Sequence, residues 1–335
     1  MKPTLTVFLA AAALIGSLPI PAASQTHVAP SRHRRASSTA VPIPEDVGAK
    51  EVHFYSEGIR CYGRIFTPTG FSADSKAPAV VLAPGWGETA ASVEQHAARF
   101  ASRGLVGMVI DYRGWGKSGG FLQTVDPVKT DDRLRFSQMT ARVRIQRRRL
   151  IPQHQILDIR NALYYLQGEP GVDRTKIGLW GAGMAGGHAI VIAAIDARIK
   201  AVVAHLPVIE GKDTPRKAAA PTGELLLAEQ KRARTGQPPS SNIAAGAWAN
   251  LETKLALAEY HPFWYVAQIP PTTAVLFVIS DKESTVSNES NATNASKLLK
   301  GPTSVVSVPA IRTEMNGGAS ANAAADWFLK HLGGV

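Results

Sequence analysis

The stretch Lys176–His188, K-I-G-L-W-G-A-G-M-A-G-G-H, constrains this chain more than any other. A short apolar run breaks into glycines and then into an alanine-rich segment, which is the pattern of a strand, a sharp turn and a helix. A turn that tight leaves no room for a flexible loop. The strand and the helix are therefore expected to pack on each other as one unit.

The same rhythm recurs along the chain. Glu51–Ser56 and Ile59–Thr67 flank Glu57-Gly58 and predict a hairpin. Ala79–Ala83 is a continuous apolar run, as expected of a strand buried on both faces of a parallel sheet, Val106–Ile110 is the next buried strand, and Lys200–Ala204, Thr273–Ile279 and Ser304–Val308 read as further strands. Between them, Ser92–Arg103 places Val93, Ala97 and Phe100 at helical spacing behind Ser92 as N-cap, and His154–Gln167 lines up Ile156, Ile159, Leu163 and Leu166. Asn291–Leu299 and Ala321–His331 supply the last helices. Alternating strand and helix predict an α/β fold with a mostly parallel sheet and right-handed crossovers.

Met1–Ser24 carries Lys2, an apolar stretch Leu5–Leu18 and the small residues Ala22-Ala23-Ser24, which predicts a cleaved secretory signal and an exported, periplasmic or secreted product. Gln25–Asp46 is rich in Ser, Ala and Pro, includes Arg32-His33-Arg34-Arg35, and reads as a disordered linker. Residues 47–335 then form one domain, and a hydrophobic fraction of 45% is ample for its core. Cys61 is the single cysteine, which excludes an intramolecular disulfide and a multi-cysteine metal site. It falls in a strand-like run and reads as core filler. No cofactor or metal motif is present.

The elbow at Lys176–His188 resembles the nucleophile elbow of α/β-hydrolases, in which G-x-S-x-G lifts a serine onto a strained strand-to-helix turn. The frame here is Gly181-Ala182-Gly183-Met184-Ala185. Ala79–Glu88 resembles the oxyanion-hole strand and loop, Asp111–Gly120 the turn after the next strand, Ala274–Ser284 the acid-bearing segment and Ser304–Thr313 the approach to the histidine. The chain is similar to the dienelactone hydrolase and prolyl-peptidase-like branch. This resemblance implies an α/β-hydrolase fold with a small helical cap at Val208–Ala258. It also implies that Gly183 holds the nucleophile position, Glu283 the acid position, with Asp281 as runner-up, and Thr313 the histidine position. The backbone amides of Trp86 and Met184 would form the oxyanion hole.

Glycine has no side chain to bond covalently, and threonine is no base near neutral pH, so ordinary serine-hydrolase activity is expected to be lost. The expected role is binding of a small-molecule ligand or a protein partner. The competing expectation is a hydrolase or lyase of ester- or amide-like substrates by a non-serine route, through His205 and Glu283. His205 ends a strand at the edge where open α/β sheets bind ligands, although a structural histidine is the commoner case. His188, one turn into the elbow helix, reads as a packing residue.

The formal charge of +11 is partly local. Phe121–Gln153 holds eight basic residues against three acidic ones, and Arg133-Leu-Arg135-Phe and Arg142-Val-Arg144-Ile alternate with period two. A solvated edge is one reading, and an anion-binding face for acidic lipid, polysaccharide or a partner is the other. Nucleic acid is excluded as partner by the expected export and the lack of a recognition motif. Asn288, Asn291 and Asn294 each open a glycosylation sequon, to which the packing of a helix there gives little weight.

Overall fold

The computed structural model describes residues 44–129, 131, 133–209, 223–236, 251–282, 287–309 and 318–333. The leader, most of the linker, Glu283 and Thr313 lie outside the described residues.

Eight strands make the central sheet: β1 Gly48–Ser56, β2 Ile59–Thr67, β3 Ala77–Ala83, β4 Val106–Ile110, β7 Val172–Ala182, β8 Ile199–His205, β9 Ala274–Ser280 and β10 Thr303–Val308. Their spatial order is β1-β2-β4-β3-β7-β8-β9-β10. The hairpin β1–β2 and the β2–β4 pair are antiparallel, and every other pairing is parallel. Burial follows position in the sheet: β3, wholly apolar, sits centrally, while β1 at the edge shows solvent its first four residues.

Helices α1 Glu94–Ala101, α2 Pro152–Gln167, α3 Met184–Ile195 and α6 Gly318–Leu332 cover the sheet, and α4 Gly223–Thr235 and α5 Leu251–Ala258 come from the stretch expected to form a cap. Two apolar cores result. Ile65, Val81, Leu179 and Phe277 pack with Ile159, Leu163 and Ile190 of α2 and α3 on one face. Leu82, Trp180 and Val203 pack with Phe100 and Phe328 of α1 and α6 on the other. Helix α3 is buried nearly throughout, which explains a composition of small and apolar residues with no polar face.

Two local expectations differ. Ser92 does not cap α1: Ala90–Ser92 form a 3-10 turn, and the Ser92 hydroxyl donates to Thr89 O at 2.8 Å and to the Glu88 carboxylate at 3.1 Å. A hydroxyl with two acceptors one turn back satisfies itself there before it can reach a helix amide. The basic insertion, for which the sequence assigns no regular structure, carries an antiparallel arm of β5 Phe121–Thr124 and β6 Val143–Gln146. The sequon asparagines are partly consumed: Asn291 is buried and accepts from Ile209 N–H at 2.6 Å, and Asn288 donates to Ser280 O at 2.6 Å. Among the described residues no helix is long and apolar enough to cross a membrane.

Candidate functional site

The elbow is built by β7 running straight into α3 with one residue, Gly183, between them. Gly183 has φ 53° and ψ −115°, a backbone state that residues with a Cβ rarely adopt. Its N–H donates to His205 O at 2.8 Å, and its carbonyl accepts from Val208 N–H at 2.9 Å and Gly186 N–H at 3.1 Å. The turn is thus pinned to the chain leaving β8. Gly181 is required for a different reason: a Cβ there would stand 2.1 Å from Ala185 O, inside the first turn of α3. The side-chain-free position at the apex is therefore held as firmly as a nucleophile would be.

The loop after β3 lies against this turn. A Cβ on Gly85 would meet Ala182 O at 3.3 Å, which places the Pro84–Glu88 loop in contact with the end of β7. Its shape is held by Tyr112 Oη donating to Pro84 O at 3.1 Å and by Gly85 N–H donating to Glu88 Oε2 at 3.2 Å. Behind it, the Asp111 carboxylate accepts from the N–H of Ala90 and of Lys117, each at 2.7 Å. Burial raises the Asp111 carboxyl above its usual range, and these two amides oppose the rise. Trp86 and Met184, the expected oxyanion donors, flank the contact, one following Gly85 and the other opening α3. An α3 N-terminus beside a loop of amides is an arrangement that favours an anionic or carbonyl oxygen.

Among the described residues three histidines, His96, His188 and His205, are buried, and they fall into two groups. His188 bonds Tyr260 Oη through Nδ1 at 2.6 Å and Gln155 Oε1 through Nε2 at 3.0 Å, and burial pulls its imidazole down to about 3. It is a packing residue, as its place in α3 leads one to expect. The His205 ring is 3% exposed and lies on the α1 side of the sheet, its centroid 5.1 Å from Trp180 and 5.5 Å from His96. His96, which sequence reasoning passed over, has a ring 4.6 Å from Trp180 and is pulled down to about 4 by burial. The signal was present: His96 lies three residues after Val93 and four before Phe100, on the apolar stripe of its helix. Asp281 is exposed just past β9. Cys61 is fully buried, and burial pushes its thiol up to about 12, which removes it as a nucleophile at neutral pH.

A second structural feature escaped the sequence. The guanidinium of Arg113, 2% exposed, bonds the fully buried Asp158 carboxylate at 2.7 and 2.8 Å and donates to Ser56 Oγ at 2.6 Å. Burial raises the Asp158 carboxyl while Arg113 works against that rise. The pair ties the Asp111–Gly120 turn to α2 and to the β1–β2 hairpin.

Residues 43–212, about half of the chain, match the acetyl xylan esterase (AXE1) family. The chain belongs to that family. Among curated relatives, the thiohydrolase aneE of Aspergillus aculeatus is 29% identical over 169 residues, which is 50% of this chain and 44% of that protein. The quorum-quenching protein AidA of Acinetobacter baumannii is 26% identical over 162 residues, 48% of this chain and 44% of its own. The chain thus spans under half the length of these curated relatives. Among solved structures, the α/β-hydrolase GrgF from Penicillium sp. sh18 superposes with a TM-score of 0.64 at 19% identity, covering 86% of this chain and 100% of that one. Its likeness establishes the α/β-hydrolase fold that the elbow motif implied.

Proposed function

We propose that this family member is an exported ligand- or partner-binding protein that has given up serine-hydrolase chemistry while retaining the elbow. The observation that carries the reading is Gly183 at the apex of the turn, where a nucleophilic side chain would have to project. A residue without a side chain forms no covalent intermediate, whatever base or acid stands nearby. The amides of Trp86 and Met184 and the α3 N-terminus remain as donors for a carbonyl or carboxylate oxygen. Relatives named as esterase and thiohydrolase handle acyl compounds, which supports an ester, thioester or carboxylate as the ligand class. Export rests on the composition of Met1–Ser24.

The test uses purified protein with a fluorophosphonate probe, a panel of short nitrophenyl esters and a thermal-shift screen of acyl compounds and carboxylates. The expected result is no labelling, ester turnover at background, and a rise in melting temperature with a subset of the compounds. Covalent labelling of any serine, or turnover at an ordinary esterase rate, overturns the proposal.

A further inference from the structure

We propose that the β5–β6 arm is an interfacial element that seats this protein on an anionic lipid bilayer. The arm leaves the body at a rigid root. Phe121 is held between the guanidinium groups of Arg113 and Arg149, at 5.5 and 4.7 Å from its ring centroid. Arg147 donates to Ser118 O and Gly116 O, each at 2.7 Å, and Arg149 forms an ion pair with Glu252 of α5. Arg147 and Arg149, two of the three consecutive arginines there, are therefore spent on architecture.

Beyond the root the arm stands clear of the body, and its apolar face meets water along with its polar one. Leu122 faces Ile145 and Thr124 faces Val143 across the ladder, so all four share one face, while Gln123 and Gln146 bond each other on the opposite face. Leu122 is 67% exposed and Ile145 62%. The legs continue to Lys129 on one side and from Met139 on the other, and among the described residues between them Leu134 is 57% and Phe136 86% exposed. A ribbon with its apolar face turned to water marks an interaction surface.

Charge decides which partner. Arg142 pairs with Asp126 and Arg133 with Asp131, and among the described residues Lys129, Arg135, Arg144 and Arg148 have no acidic partner. Arg135 sits 5.9 Å over the Phe136 ring, placing a cation beside the most exposed apolar group. A second copy would bring the same surplus of positive charge and be repelled. A soluble polyanion would satisfy the cations and leave the leucines, isoleucine and phenylalanine in water. An anionic bilayer rewards both, the arginines at the headgroups and the apolar side chains at the acyl boundary.

The test is flotation of the purified full chain with phosphatidylcholine vesicles carrying phosphatidylglycerol at about one lipid in three, against vesicles of phosphatidylcholine alone. Association is expected with the anionic vesicles and is expected to weaken as salt is raised. Leu134→Ser with Phe136→Ser should cut the partition by at least about tenfold. Lys129→Gln with Arg135→Gln should cut it about 25-fold, roughly fivefold per charge lost. Phe136→Trp, which keeps an aromatic suited to the interface, should bind as well or better. All these side chains are exposed, so the variants should melt with the parent. The same flotation with Met1–Ser24 removed takes out any binding by the apolar Leu5–Leu18 stretch, and the neutral-vesicle outcome is judged on that protein. Three results overturn the proposal: flotation that is equal on neutral vesicles, anionic-vesicle binding that ignores the serine substitutions and is competed away by soluble polyphosphate, and concentration-dependent dimerisation lost in Phe136→Ser without any lipid association.

Discussion

Placing a side chain at Gly183 separates two properties of the elbow, its strain and its chemistry. With φ 53° and ψ −115°, the position costs a residue with a Cβ about 1–3 kcal/mol. For a domain of this size each kcal/mol lowers the melting temperature by about 2–4 °C, so both Gly183→Ala and Gly183→Ser should melt about 2–12 °C below the parent. The two should agree, because strain depends on Cβ and not on the hydroxyl. Chemistry should divide them only when a base is supplied. Serine at its ordinary pKa is a weak nucleophile, so Gly183→Ser alone should leave nitrophenyl ester hydrolysis at background. Gly183→Ser with Thr313→His should exceed either single variant by at least about 10²-fold, the contribution of one positioned general base. Ester turnover and thermal melting of the parent, Gly183→Ala, Gly183→Ser, Thr313→His and the double variant measure both effects. Ester turnover by Gly183→Ser alone at a normal esterase rate would refute the assignment of the histidine position to Thr313, and His205 would be the residue to replace next. An unstrained Gly183→Ala, melting with the parent, would refute the strain argument.

Other outcomes follow from buried groups. His96 and His188 have folded pKa values of about 4 and about 3, below the 6.5 of an exposed imidazole. The unfolded chain therefore binds the extra protons, and the stability they contribute is complete above pH 6.5 and lost as pH falls toward 4. Because the buried carboxyls of Asp111 and Asp158 are raised and titrate in the opposite sense, the readout is a difference: urea denaturation of His96→Phe should show a shallower loss between pH 6.5 and 4 than the parent. Arg113→Met strands the fully buried Asp158 carboxylate and should cost about 3–5 kcal/mol, whereas Glu57→Gln, at the exposed end of the same cluster, should cost under about 1 kcal/mol in the same denaturant titration. Cys61, buried and with its thiol pushed up to about 12, should resist an aromatic disulfide reagent at pH 8 in the native protein and react once in denaturant. Prompt reaction in the native state would show that β2 opens.

What the sequence determined by itself is whatever depends on neighbours in the chain. The hairpin about Glu57-Gly58, the buried strands, the elbow and α3 are written in runs of a few residues, because backbone geometry and side-chain period are local properties. The missing side chain at Gly183 was legible for the same reason. Tertiary structure alone decided which distant groups meet. Arg113 reads as a loop residue until Asp158, 45 positions on, is brought beneath it. His96 reads as one more helix residue until β7 and β8 bring Trp180 and His205 against it. The basic insertion shows the limit most clearly: alternation in Arg142-Val-Arg144-Ile announces two faces, but no local rule says which one the fold covers. Packing of the root against Arg113 and α5 answers that: it covers Gln146 and part of Phe121 and leaves Val143 and Ile145 in water beside Arg142 and Arg144.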